Sequence, residues 1–390
     1  MKKKVVFVGL SGGVDSAVSA ALLKAQGYEV VGVFIKTWHP EFLECNVEEE
    51  RRDAMRVAAS LNIPFLTFDL EDVYKKEVAD YMISEYKRGR TPNPDVMCNK
   101  EVKFGAFLKK ALAMGANYVA TGHYARKTPL LVEEGVGGGD SKELPPRSDL
   151  GRSSPPRKGG EGFQLLKSPD SAKDQSYFLW TLSQEQLKRI LFPVGHLNKR
   201  DVRGLAKKFG LPVSEKKDSQ GICFLGKVDL KEFLKHYIKT RKGKVLNVEG
   251  KEIGYHNGAV LLTLGERHGF TITKKGPNDG PYYVVGKDVK KNILIVGQHP
   301  LRPLDTSPLL RGRKGGGILI ENTNWISEIP DEKEKYTAQI RYHGELLPCQ
   351  IKITGKSKAK VFFQKPILVA SGQSCVVYKG NICLGGGIVI

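Results

Sequence analysis

Apolar positions along the first third of the chain follow two rhythms. Short apolar runs such as Val5-Val-Phe-Val8 alternate with stretches of helical period, the first marked by Val14, Val18, Ala21 and Leu22 at i, i+4, i+7 and i+8. The pattern predicts strands over 5–10, 30–35, 65–68 and 118–121 and helices over roughly 14–26, 48–61, 71–87 and 101–114. Apolar strands alternating with helices imply a Rossmann-like α/β domain, a parallel sheet covered on both faces with right-handed crossovers. Ligands in such sheets sit beyond the carboxyl ends of the strands. That rule gathers residues 11–16, Lys36-Thr-Trp38 and Gly122-His-Tyr124 on one rim.

Further on the rhythm changes. Helical patterning resumes near Lys173 and again over 199–209, where Gly210 and Pro212 close it. From about 240 the chain reads as short strands and glycine turns: 245–248, 259–264, 282–285 and 293–296, then 336–342, 350–354, 360–363 and 374–378. Regular short strands suggest one or two small β-barrels. Gly385-Gly-Gly387 is expected to be a closing turn or bulge. Three domains follow: 1–212, the α/β unit; 213–300, a central, mostly β unit; and 301–390, a C-terminal β-barrel. The stretch 128–162 has eight Gly, five Pro and four Ser with almost no apolar periodicity, so it reads as a disordered insertion. Residues 309–317 form a shorter candidate of the same kind.

Composition sharpens this picture in two ways. Sixty-two Lys and Arg against 42 Asp and Glu give a formal charge of +20, which suits a polyanionic partner such as nucleic acid. The 128–162 stretch is close to neutral, so the surplus belongs to the rest. No apolar run approaches a membrane span, and no apolar leader precedes the first strand; a cytoplasmic, non-membrane protein is expected. The six cysteines, at 45, 98, 223, 349, 375 and 383, show no metal-binding spacing. Most read as small buried hydrophobes.

Three stretches carry candidate chemistry. Ser11-Gly-Gly-Val-Asp-Ser16 joins a strand to a helix N-terminus. Its glycines permit positive φ, and unpaired first-turn amides favour a phosphate. It lacks the Gly-Lys-Ser/Thr ending of a Walker A loop. Thr91 to Phe104 (TPNPDVMCNKEVKF) is stiffened by two prolines and then enters a helix, with Asp95 and Cys98 three apart at the entry. A thiol there is an activated nucleophile or an incidental cysteine in a capped helix. Cys223, beside a glycine and after Lys216 and Lys217, is a reachable acidified thiol or a buried strand cysteine. His123 reads as a structural hydrogen-bonder more readily than as a catalyst.

SGGVDS resembles the PP-loop of the ATP pyrophosphatase superfamily. Taken with TPNPDVMCNKEVKFG, ATGHYAR, KDQSYFL, KKDSQGICF and CLGGGI in the same order, the sequence resembles the tRNA-specific 2-thiouridylase family over nearly the whole chain apart from 128–162 and 309–317. The resemblance implies an enzyme that uses ATP and Mg²⁺ to adenylate the wobble uridine C2 oxygen of lysine, glutamate and glutamine tRNAs. Sulfur from a cysteine desulfurase or a relay protein then displaces AMP. It assigns ATP to Gly9, Leu10, Ser11, Gly12, Gly13, Val14, Asp15, Ser16, Ile35 and Gly122, with Asp15 near Mg²⁺. It assigns nucleophilic catalysis to Cys98, persulfide carriage to Cys223, a transient Cys98–Cys223 disulfide, and acid/base work to Asp95. It places tRNA against Asn93, Pro94, Asp95, Lys173, Asp174, Gln175, Arg341 and Tyr342. A monomer is the default. The alternatives are another PP-loop adenylating ligase acting on a small molecule, and a tRNA-binding protein without chemistry.

Overall fold

The structure, a computed structural model, describes residues 3–43, 47–130, 162–218, 229–276, 279–298 and 317–390. Cys45, Cys223, residues 131–161 of the expected insertion and residues 309–316 of the shorter one lie outside the described residues.

The first unit is the parallel sheet that the apolar runs predict. Strands β1 (Val5–Gly9), β2 (Glu29–Lys36), β3 (Phe65–Asp69), β4 (Tyr118–Ala120) and β7 (Ile190–Leu191) lie in the order β3-β2-β1-β4-β7. In β1, Val6 and Val8 pack into one core and Phe7 into another. Successive side chains point to opposite faces, so burial on both makes the run continuously apolar. Helices α1 (Val14–Ala25) and α2 (Val47–Ser60) match their predicted spans closely. Between β4 and β7 a hairpin of β5 (Ala125–Pro129) and β6 (Phe163–Lys167) leaves this sheet. Residues 128–129, assigned to the insertion from sequence, thus belong to β5.

The central unit is a five-stranded sheet in the order β10-β9-β8-β12-β11. Its strands are β8 (Gly243–Leu246), β9 (Glu252–His256), β10 (Phe270–Ile272), β11 (Tyr283–Asp288) and β12 (Ile293–Gly297). The C-terminal unit is a closed antiparallel barrel of β13 (Ile318–Trp325), β14 (Tyr336–Gln339), β15 (Leu347–Gly355), β16 (Lys358–Phe363), β17 (Ser374–Lys379) and β18 (Ile382–Val389), sealed by β13 pairing with β18. The β5–β6 hairpin adds to this barrel through Ile382 opposite Leu166. Closure removes the exposed edges an open sheet would present.

Several local expectations differ. The strand predicted over 259–264 is a short 3-10 turn, Ala259–Leu261. Only a 3-10 turn, Ser176–Leu179, follows Lys173, and the α-helix there starts at Gln184 under a Ser183 capping box. The strand predicted over 336–342 ends at Gln339, leaving Tyr342 beyond it. Gly385-Gly-Gly387 is no turn: it lies within β18, opposite both β17 and β13, where a register shift marks a bulge. Cys349, Cys375 and Cys383 are buried in or beside the barrel core, as small hydrophobes would be. Among the described residues no helix is long and apolar enough to cross a membrane.

Candidate active site

The Ser11–Ser16 loop is shaped by backbone geometry. Leu10 N–H donates to Val33 O at 2.8 Å, tying the loop's start to β2. Gly12 has φ +70°, and a Cβ there would lie 2.5 Å from Glu50 O on α2. Ser16 Oγ accepts from Ser11 N–H at 3.2 Å and donates to Gly13 O at 3.1 Å, so the loop closes around one hydroxyl. Gly13 precedes α1 without a side-chain cap. That leaves the first-turn amides and the positive helix end for an anion. Gly122 presses against the loop: a Cβ there would lie 2.8 Å from Ser16 N. Ile35 Cδ1 and the Ala120 carbonyl come within 3.9 Å of the Cβ position of Gly9. The three strand ends therefore meet around the loop, as the carboxyl-end rule requires.

An ion-pair chain leads away from Asp15. Its Oδ1 accepts from Tyr124 Oη at 2.8 Å and from Lys199 Nζ at 2.6 Å. Lys199 Nζ also reaches Asp218 at 2.9 Å, and Asp218 takes Lys173 at 2.7 Å and Arg203 at 2.6 Å. Burial works to raise the Asp218 carboxyl, but hydrogen bonds from Lys173 and Lys199 outweigh it and hold its pKa at about 2. Burial, then the Asp15 charge, raises the Tyr124 phenol. Tyr124 was placed on the ligand rim from sequence without a role, and Lys199, Arg203 and Asp218 escaped the sequence reading as site residues. The signal for Asp218 was its place in KKDSQGICF, and for Lys199 its place opening a basic helix, Lys199–Lys208.

The second wall is the Asn93–Cys98 segment. Asn93 caps a helix, its Oδ1 accepting from the amides of Asp95 at 3.1 Å and Val96 at 3.2 Å, with Pro94 in the first turn. The helical run continues through a π-helical stretch, Cys98–Phe107, to Ala113. Such wide turns concentrate at functional sites. Cys98 stands one turn inside the helix start and is fully buried. Tyr342 packs against Phe178 in a tilted contact, ring centroids 4.3 Å apart and planes at 45°. Burial raises its phenol first, and the charges of Asp174, Asp95 and Asp170 raise it further. The segments 93–95, 173–178 and 341–342 therefore face one another, although they come from the first and last units.

Within that meeting point the side chains differ in kind. Gln175 Oε1 accepts from Tyr124 N–H at 3.0 Å, and Gln175 N–H donates to Tyr124 O at 2.9 Å, joining this wall to the loop's rim. Asp174 is turned inward, its carboxylate accepting from Ser168 and Ser176. Arg341 is exposed. His123 is buried, its Nδ1 2.8 Å from Thr121 Oγ1, and burial, then Lys103, pulls its pKa well down. Such a buried, hydrogen-bonded ring is compatible with the structural reading from sequence. Cys223 lies outside the described residues, so its relation to Cys98 is not placed.

The sequence matches the family model described as tRNA methyl transferase HUP domain over residues 4–227. It also matches a tRNA methyl transferase PRC-barrel domain over 231–298 and an aminomethyltransferase beta-barrel domain over 316–389. Curated relatives span its full length. The tRNA-specific 2-thiouridylase MnmA of Streptococcus thermophilus (strain ATCC BAA-491 / LMD-9) is 41% identical over 99% of this chain and 95% of its own. The protein of that name from Methylobacillus flagellatus is 42% identical over 100% of this chain and 99% of its own. That from Geobacillus thermodenitrificans is 42% identical over 98% and 94%.

Proposed function

The chain belongs to the tRNA-specific 2-thiouridylase family, and on that premise we propose that it replaces the C2 oxygen of a tRNA wobble uridine with sulfur, using ATP. One observation carries the reading from family to site. The phosphate-type loop is tied through Tyr124 to Gln175, and the segment holding Gln175 meets the helix that carries Cys98, where Asn99 Nδ2 donates to Phe178 O at 3.5 Å.

The chemistry needs that adjacency. A carbonyl oxygen is a poor leaving group until it is joined to the α-phosphate of ATP, when pyrophosphate departs. Attack by sulfur at C2 then expels AMP with the original oxygen. The Gly9–Ser16 loop would hold the phosphates and stabilise charge as the bond breaks. Ile35 and Gly122 would bound the nucleotide through packing and backbone. Among the described residues no three ligating side chains cluster. That fits Mg²⁺, which binds through substrate phosphates, waters and one or two carboxylates. Asp15 is the carboxylate in place, and Mg²⁺ would supply charge neutralisation to the phosphates.

In this reading Cys223 carries the incoming sulfur as a persulfide, donated by a cysteine desulfurase or relay protein. Either Cys98 attacks the Cys223 sulfur, expelling hydrosulfide that attacks C2, or the terminal sulfur attacks C2 and Cys98 releases the product. Both routes leave a Cys98–Cys223 disulfide, which a two-electron reductant must reopen; a cytoplasmic setting would supply one. Asp95, in the first turn beside Asn93 and Pro94, serves as acid/base. Tyr342 and Arg341 suit base stacking and phosphate contact in a single-stranded anticodon loop, with the target base turned out of its stack. The substrates are lysine, glutamate and glutamine tRNAs, and the working species is a monomer.

Incubating the protein with tRNA, ATP, Mg²⁺ and a persulfide-loaded sulfur donor, without free sulfide, and then analysing nucleosides by mass spectrometry tests this. The wild type should yield 2-thiouridine and AMP. Cys98→Ser should abolish the thiolated product while keeping tRNA binding. A small-molecule ligase would not need the thiol, so unchanged thiolation in Cys98→Ser overturns the mechanism.

A further inference from the structure

Asp218 is gripped by three cations at once, Lys173, Lys199 and Arg203, at 2.7, 2.9 and 2.6 Å. Lys199 simultaneously touches Asp15 of the loop at 2.6 Å. The carboxylate has lone pairs enough for three donors, but its single charge is outnumbered three to one. Three donors converging on one point beside a helix N-terminus form a cradle for a group with more oxygens and more charge. Side chains of Lys173, Arg203 and Asp218 remain about a third exposed, so the cradle is open to solvent.

We propose that the Lys173–Lys199–Arg203 cluster is a phosphate-binding cradle and that Asp218 is its internal competitor, occupying it until a phosphate displaces the carboxylate. The inference rests on the reading of the Ser11–Ser16 loop as the nucleotide site. A phosphate group offers more acceptor oxygens and charge than a carboxylate and takes the cations when present at sufficient concentration. When pyrophosphate has formed, Asp218 retakes Lys199 and hastens release. The carboxyl stays ionised throughout the working pH range, so the competition does not titrate away. The phosphate could be that of the nucleotide, through Lys199, or of the tRNA backbone, through Lys173.

Asp218→Asn in the full-length protein decides the matter. It removes the competing charge and leaves three cations in place. Affinity for inorganic pyrophosphate, by titration calorimetry, or for unmodified tRNA, by filter binding, should tighten about twofold to fivefold, the scale of one partly exposed ion pair. Tightening in the pyrophosphate arm assigns the cradle to the nucleotide; tightening in the tRNA arm assigns it to the backbone. Asp218→Glu should bind as the wild type does, and Asp218→Asn with Lys199→Gln should lose any gain in pyrophosphate affinity. If Asp218 only braces the structure, Asp218→Asn weakens or leaves unchanged both affinities, and the proposal falls. A wild type that binds neither ATP nor pyrophosphate would instead remove the nucleotide reading beneath it.

Discussion

A methyl group on Gly122 would sit 2.8 Å from both Ser16 N and the Asp15 carbonyl carbon, closer than real Cβ atoms approach backbone. Neither atom can yield without moving the start of α1. Gly122→Ala should therefore weaken ATP binding about tenfold and cost roughly 1–3 kcal/mol of stability, the usual range for overpacking. Nucleotide titration and urea unfolding check the two parts. A second residue makes a pH prediction. Lys127 Nζ is buried, donates to Leu187 O and Ile190 O at 2.8 Å, and lies over the Phe163 ring; burial draws its pKa down to about 8. In the unfolded chain the value returns to about 10.4. Between these values the unfolded state binds more protons, so raising pH favours the fold. Urea unfolding of wild type and Lys127→Met at pH 7.5 and 9.5 should show the wild type gaining on the variant at the higher pH; a gap that moves the other way refutes the buried-ammonium account. Single residues of this kind were the least legible. The Asp15–Lys199 pair spans 184 positions, and no local pattern relates its members. His123 was legible because its alternative, a satisfied buried imidazole, is the ordinary fate of that side chain.

Elements were legible where burial is two-sided and local chemistry agrees with it. The strands around β1 read cleanly because both of their faces are in core. The helix that carries Cys98 was read less well. Its periodicity was placed at 101–114, yet it starts at Pro94. Proline is compatible with a first helical turn, and Asn93 is a strong N-cap, so the signal was present but masked by the apparent rigidity of two prolines. That argument predicts a separation of roles. Asn93→Ala should cost about 1 kcal/mol as the cap is lost, whereas Asn93→Asp should keep it, because a carboxylate caps as well as an amide. If Asn93 also meets the tRNA, both variants should weaken RNA binding, and only the alanine should lower the melting temperature. Equal melting temperatures would show that the cap contributes nothing to this helix. In the barrel, the β18 glycines read as a closing turn or a bulge, and the structure has the bulge. Here the strand lies between two partners, and a side chain at Gly385 would strike the Asn324 carbonyl. Only tertiary context reveals that requirement.

At the scale of the whole molecule, the C-terminal barrel is bonded to the segment that leads to Asn93 and Cys98 rather than standing as an appendage. Thr91 N–H donates to Ser371 O at 2.7 Å, and Gln373 Nε2 donates to Thr91 O at 2.9 Å. Tyr177 Oη and Trp180 Nε1 bond to Ser374 at 3.0 and 3.1 Å. The segment leading to Asn93, Asp95 and Cys98 is thus held by the last unit of the chain. The sequence resemblance set residues of the first and last units against one tRNA, but not the bonds between those units, because these pair residues 194 to 282 positions apart and no local pattern relates them. Gly372 is the sharpest point of that clasp. It has φ +94° and a Cβ there would lie 2.9 Å from Thr91 N and O. Gly372→Ala is strained twice, by its dihedral and by the collision, and relief requires Thr91 to retreat. The ATP loop rests on α2 and Gly122 and should not feel the shift. Thiolation should then fall by about a hundredfold, as displacements near 1 Å do to positioned groups, while ATP affinity stays at the wild-type value. Paired nucleotide titration and thiolation assays read the two effects separately. Loss of both together would mean that the barrel supports the entire fold, and loss of neither that it stands apart from the reaction.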